Sequence, residues 1–183
     1  LDVVRPNQIE IGKVVVAGGG DMGLRLARHL ERSDKQAIVI EGDIERAHEC
    51  SASLAKSTVV SGNALDRAVL DEIGMTRHTA IVTSTGNDEN NIIACLLAQK
   101  LGAGFGVALI SKPEYVSIIN EAKLLDRAVS PYLTTMNAIL RFVRGASIRA
   151  ITLLQNVPGE LLEVHVLEGS RWVGRELKDM RLP

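Results

Sequence analysis

The sequence predicts an α/β protein built on a doubly wound parallel sheet, followed by a sixth helix and part of a second, smaller domain. Three observations carry this. Short runs rich in Val, Ile and Ala alternate with amphipathic runs at helical spacing. Most of the apolar runs lack polar alternation, as strands covered on both faces do. The alternation holds for six strands and five helices, which implies right-handed crossovers and a single layered sheet.

The elements follow in order. "LDVVRPNQIEIG" (1–12) mixes charge, proline and glycine and reads as a linker or lead-in. "KVVVAG" (13–18) is the first strand, and "MGLRLARHLER" places Leu24, Ala27 and Leu30, with Leu26 beside them, on one apolar stripe. "QAIVIE" (36–41) is the second strand, and "IERAHECSASLA" the second helix. "STVVSG" (57–62) precedes "RAVLDEIG", which Gly74 ends. "TAIVTST" (79–85) leads into "NDENNIIACLLAQKLG", with Asn87 or Asp88 as cap and Gly102 at its close. "FGVALIS" (105–111), "PEYVSIINEAKLL" with Pro113 in its first turn, and "RAVSP" (127–131) complete the sheet.

After Pro131 the pattern changes. "YLTTMNAILRFVRG" (132–145) is a helix beyond the last strand, and the boundary falls near Gly145. "SIRAITLLQ" and "ELLEVHVLE" alternate as strands, and "VGRELKDM" reads as a short helical piece. The last 38 residues are too few for an independent core, so they read as part of a domain, and both termini read as cut from a longer chain.

Composition narrows the function. At 46% hydrophobic and 23% charged, the 183 residues suit an ordinary globular protein. A net charge of −1 gives no basic field for nucleic acid, and 3% aromatics argue against base stacking. Cys50 and Cys95 form no CxxC pair and read as small buried hydrophobes of a reducing cytosol. No apolar run approaches the roughly 18 residues that span a bilayer.

The chemistry-bearing stretch is Gly18-Gly19-Gly20-Asp21-Met22-Gly23, which fits G-x-G-x-x-G between a strand and a helix. Gly18 permits the tight turn, Gly20 the close approach of a pyrophosphate, and Gly23 the helix-to-strand contact, as in a Rossmann-like site. Amides at the start of the helix would hold phosphate oxygens. Glu41 ends the next strand 18 residues after Gly23, where a carboxylate accepts from ribose hydroxyls and repels a 2′-phosphate. NAD or an adenosine phosphate is therefore favoured over NADP. Asp21 puts a carboxylate where an incoming phosphate would prefer a base.

Asn63 and Ala64 follow the third strand, and Thr83 and Ser84 the fourth, on the rim where open α/β sheets bind ligands. Asn63 is placed to hydrogen-bond an adenine or ribose edge; for Thr83 and Ser84, ligand contact and a structural role stay open. Catalytic machinery is missing: the four histidines have surface or structural readings, Tyr115 lacks a lysine four residues on, and no metal-ligand cluster appears. An NAD-dependent oxidoreductase would need a proton donor at the nicotinamide and a substrate domain, and the sequence supplies neither.

"VVVAGGGDMGLRLARHLE", "IVIEGD", "VVSGNALDRAVLDEIG", "IVTSTGNDENNIIACLLAQKLG" and "AVSPYLTTMNAILRFVRG" stand in the order of RCK (regulator of K⁺ conductance) domains. Over about 13 to 183 the chain most resembles the second of two tandem RCK domains in TrkA-type regulatory subunits of Trk potassium uptake systems. The resemblance implies a Rossmann-like RCK-N domain over 13–145 with a crossover helix at 131–145, then the start of a small α+β RCK-C lobe at 146–183. It further implies a cytoplasmic, non-catalytic subunit, peripheral on the inner face of the membrane through a Trk-type transmembrane potassium transporter. Such subunits dimerise by exchanging the crossover helix and assemble to rings, and NAD(H) or ADP/ATP gates transport as a regulatory ligand. By position, Gly18, Gly20, Gly23, Glu41, Asn63, Ala64, Thr83 and Ser84 would surround the nucleotide. Two residues depart from the pattern: Asn63 replaces an aspartate, and Asp21 stands where many such domains carry arginine. An acid at 21 leaves open a cation or a less phosphorylated nucleoside as ligand, and a copy that serves ring assembly without ligand stays an alternative.

Overall fold

The computed structural model describes residues 10–33, 35–144, 148–153, 160–164, 166, 168–170, 173–176 and 178. The lead-in up to residue 9 therefore lies outside the described residues. The chain divides into two compact units, Leu1–Pro131 and Tyr132–Pro183.

The first unit alternates strand and helix throughout: β1 (Lys13–Ala17), α1 (Asp21–Arg32), β2 (Gln36–Glu41), α2 (Ile44–Ser53), β3 (Thr58–Ser61), α3 (Arg67–Ile73), β4 (Thr79–Thr83), α4 (Asp88–Lys100), β5 (Phe105–Leu109), α5 (Pro113–Glu121) and β6 (Arg127–Val129). The strands form one parallel sheet in the order β3-β2-β1-β4-β5-β6, in register from Lys13 opposite Gln36 and Thr79. This is the Rossmann-like, doubly wound sheet that the sequence predicts.

Alternation along each strand explains its two-sided burial. Val14, Val16, Val39 and Ala80 face α1, where Ala27 is fully buried and Leu26 and Leu30 pack against them. Val15, Ala17, Ile38, Ile40 and Ile81 face the opposite layer, with Leu70 of α3, Ala94, Cys95 and Ala98 of α4, and Val116 and Ile119 of α5. The apolar stripe of α1 runs through Gly23, Leu26, Ala27 and Leu30, with Leu24 turned toward the edge of that contact.

Side-chain caps fix the helix starts. Asp43 Oδ1 accepts from Arg46 N at 2.9 Å on α2, Asp66 Oδ1 from Ala68 N at 2.9 Å on α3, and Asn87 Oδ1 from Asn90 N at 2.7 Å on α4. Asp88 does something else: its two oxygens accept from Ser111 N and Lys112 N, both at 2.9 Å, and so tie the start of α4 to the β5–α5 turn.

α6 (Pro131–Arg144) starts at the last residue of the first unit and runs into the second, which continues with the antiparallel pair β7 (Ile148–Leu153) and β8 (Glu160–Val164). The helical piece expected from Val173 is instead a turn there, closed by Val173 N–H donating to the Ser170 carbonyl at 3.1 Å. Residues 177 and 179–180 of that stretch lie outside the described residues.

Candidate nucleotide-binding site

Strand order reverses between β1 and β4, and the loops leaving the strands diverge there. Into that gap opens a cavity of about 350 Å³, at the lower end of the roughly 300–1,000 Å³ usual for small-molecule sites. Its walls come from four loops: Gly18 after β1, Glu41 and Gly42 at the end of β2, Gly62–Leu65 after β3, and Ser84–Gly86 after β4. Arg46 of α2 and Asn90 and Ala94 of α4 close its sides. A neighbouring groove shares Gly20 and Arg46 with the cavity and adds Gly19, Asp21, Leu24, Glu49, Cys50 and Ser53.

Different constraints act on the three motif glycines. Gly18 lies at φ +108°, and a Cβ there would stand 2.9 Å from the Ser84 carbonyl group. A Cβ on Gly23 would lie 1.9 Å from the Gly18 carbonyl oxygen, so α1 can approach the turn only with glycine at this position. Gly20 is different: it is the N-cap of α1, its φ is −68°, and a Cβ there would meet nothing within 4 Å. The packing of the chain explains Gly18 and Gly23 but leaves the space over Gly20 open toward the cavity. A close-lying ligand group fits that space, so the residues present suit a bound phosphate-bearing cofactor.

Glu41 is held on both oxygens. Oε2 accepts from Gly19 N at 2.6 Å and Oε1 from Asp43 N at 2.9 Å, so the carboxylate clamps the glycine turn to the start of α2. Each oxygen keeps a second lone pair for a ligand hydroxyl. Asn63 turns its Oδ1 to its own loop, accepting from Leu65 N at 2.9 Å, which leaves its amide as a donor. Ser84 Oγ donates over 3.4 Å to the carbonyls of Ala17 and Gly18. Beneath the rim, Asn91 accepts from Thr85 N at 2.9 Å and Oγ1 at 2.7 Å and donates to the carbonyls of Thr85 and Leu109, fixing the β4–α4 loop.

The structure gathers Gly18, Gly20, Glu41, Asn63, Ala64 and Ser84 around the cavity. Gly19 and Asp21 line the neighbouring groove, with Asp21 outside the cavity proper. Met22 is 51% exposed on α1 and lines neither. Thr83 is fully buried, its Oγ1 donating to the Asn91 carbonyl at 2.9 Å, and is absent from the cavity wall. Arg46 was not foreseen. It lies five residues after Glu41, in the first turn of α2, and the only sequence signal for it is a cation close behind the acid that ends β2.

Neither cysteine is poised to react. Burial, then the carboxylates of Glu41 and Glu49, raise the Cys50 thiol, which donates to the Gly19 carbonyl at 3.2 Å. Burial, then Asp126, push Cys95 up to about 12. Among the described residues the cavity wall contains no His, Cys, Lys or Tyr. Among the described residues no helix is long and apolar enough to cross a membrane.

The sequence pattern of the TrkA-N domain matches residues 14–131. The chain is similar to the Trk system potassium uptake protein TrkA of Azorhizobium caulinodans, 34% identical over 184 residues, covering 100% of this chain and 40% of that protein. It thus spans about two fifths of the length of the curated relatives it matches. Among solved structures, the TrkA-N domain of the inner membrane protein ybaL from Escherichia coli gives a TM-score of 0.63 at 18% identity, covering 73% of this chain and 97% of that one. A GsuK channel bound to NAD gives 0.61 at 19% identity, covering 82% and 27%. With the family pattern spanning β1 to β6, and the glycine turn set at the reversal of a six-stranded parallel sheet, the chain belongs to the TrkA-N (RCK-N) domain family.

Proposed function

We propose that this chain is a nucleotide-sensing, non-catalytic part of a cytoplasmic regulatory subunit of a Trk-type potassium uptake system. An adenine nucleotide, NAD(H) or ADP/ATP, occupies the cavity at Gly18, Gly20, Glu41, Asn63, Ala64 and Ser84. The observation that carries this reading is the open space over Gly20, at a turn whose other glycines the packing of the chain explains. The relatives' names and the NAD-bound GsuK neighbour support the potassium and nucleotide parts. Among the described residues the cavity wall holds no His, Lys, Cys or Tyr, which favours sensing over hydride transfer to a carbonyl, where a general acid has to protonate the oxygen.

In this reading 13–145 is the RCK-N domain, α6 is the crossover helix exchanged within a homodimer, and 146–183 begins the RCK-C lobe. Dimers assemble to a ring on the inner face of the membrane, docked to the transmembrane transporter. The nucleotide biases gating only through its different affinities for two ring states.

A thermal-shift titration tests the ligand. At a concentration 100-fold over Kd, binding stabilises by about 2.7 kcal/mol, which is a Tm rise of about 5–10 °C for a chain this size. Gly20→Asp places a carboxylate in the open space and abolishes the rise. Failure of NAD(H), ADP, ATP and AMP alike to raise Tm favours the alternative, a copy kept for ring assembly. That alternative draws on Asp21, whose carboxylate stands in the first turn of α1.

A further inference from the structure

We propose that Arg46 is the phosphate-recognising residue of this cavity and gives it a preference for phosphorylated over unphosphorylated adenine ligands; this deepens the nucleotide reading above and rests on it. Arg46 is the one residue besides Gly20 that lines both the cavity and the neighbouring groove. Among the described residues it is also the only cation lining either of them. The charged residues of the cavity are Glu41 and Arg46, and those of the groove are Asp21, Glu49 and Arg46. Asp21, in the first turn of α1, works against the pull of that helix start on a phosphate, so a nearby cation supplies what the acid takes away.

Arg46 is positioned for this by a relay of hydrogen bonds. Gly19 N donates to Glu41 Oε2 at 2.6 Å, Asp43 N donates to Glu41 Oε1 at 2.9 Å, and Arg46 N donates to Asp43 Oδ1 at 2.9 Å. The backbone of Arg46 is therefore tied through two carboxylates to the glycine turn itself. Its guanidinium, in contrast, makes no hydrogen bond or ion pair among the described residues, and the residue is solvent-exposed. A planar guanidinium offers paired donors that match two phosphate oxygens, and among the described residues no side chain is hydrogen-bonded to them.

Asn63 completes the balance. With a neutral amide on the rim, Glu41 is the only acid in the cavity and Arg46 offsets it, so an arriving phosphate meets no net negative wall. A carboxylate at 63 would have tipped that balance against an anion.

The test is calorimetric titration of ADP and of adenosine into the chain and its Arg46→Gln, Arg46→Lys and Asp21→Asn variants, at low and at moderate salt. The parent binds ADP more tightly than adenosine. Arg46→Gln lowers the ADP-to-adenosine affinity ratio about tenfold, Arg46→Lys recovers part of it, and Asp21→Asn raises it a few-fold. The ratio in the parent falls with salt more steeply than in Arg46→Gln, since the lost contact is one between charges near solvent. If ADP and adenosine both bind but Arg46→Gln leaves their ratio and its salt dependence unchanged, Arg46 does not read phosphate and the nucleotide reading survives without it. If neither binds the parent chain, this inference falls, and the nucleotide reading falls with it only when NAD(H), ATP and AMP fail to bind as well.

Discussion

At the scale of single residues, the glycine turn separates what the fold needs from what a ligand needs. Gly23 lets α1 sit against the β1 loop, since a methyl there would collide with the Gly18 carbonyl. Gly20 has extended backbone and open space, and only a visitor from outside the chain would object to a side chain. Gly23→Ala should therefore cost about 3 kcal/mol or more of stability, and Gly20→Ala within about 1 kcal/mol, in urea unfolding without ligand. Equal stability of the two variants would contradict this division. The three glycines were plain in the sequence, because their spacing and the flanking strand and helix are local. The different reasons for them were not, because the carbonyl that crowds Gly23 and the space over Gly20 exist only once α1 is docked.

Thr83 and Arg46 make the same point in opposite directions. Thr83 ends a strand whose alternation puts it on the face of Ile81, under α4, so period-2 counting from Ile81 already removes it from the rim. Arg46 is legible only in three dimensions. The parallel pairing of β1 with β2 is what sets the first turn of α2 beside the glycine turn.

At the scale of elements, strands and helices were readable because each is a local pattern: unbroken apolar runs for the sheet, caps and glycines for helix ends. What stayed hidden are the ties between elements. Asp88 looks like a cap for its own helix, yet its oxygens serve amides 23 and 24 residues away. Glu31 is a similar case. From the last turns of α1 its carboxylate accepts from Lys56 N at 2.8 Å, Ser57 N at 2.7 Å and Ser57 Oγ at 2.8 Å, and so fastens the α2–β3 turn to α1. The Lys56 amide first, then the Ser57 hydroxyl, lower its pKa from 4.5 to about 2.

That shift gives a pH dependence with a definite sign. Native Glu31 holds its proton less tightly than unfolded Glu31, so its contribution is complete above pH 4.5 and is lost as pH falls toward about 2. Glu31→Gln should be less stable than the parent at neutral pH. The gap in Tm should narrow through that acid window. A gap that is constant down to pH 2 would mean that the ionised carboxylate is not what holds the turn.

At the scale of the whole molecule, the order β3-β2-β1-β4-β5-β6 creates the site, because loops leave β1 and β4 toward opposite layers and open a cleft between them. Each wall of the cleft is braced from outside it: Glu41 on one side by Gly19 and Asp43, the Thr85 loop on the other by Asn91. Such a braced cleft suits recognition with little rearrangement of its own. The Asn91 brace reaches the Leu109 carbonyl at the end of β5, so the cleft is linked to the far half of the sheet.

The central claim is that an adenine nucleotide binds in this cleft. The most direct measurement is a titration of ADP or NAD(H) followed by the backbone amide resonances of the isotopically labelled chain. A nucleotide bound there gives saturable shifts concentrated at Gly18–Gly23, Glu41–Arg46, Asn63–Leu65 and Ser84–Gly86. Shifts absent at millimolar nucleotide, or concentrated away from those four loops, would contradict it.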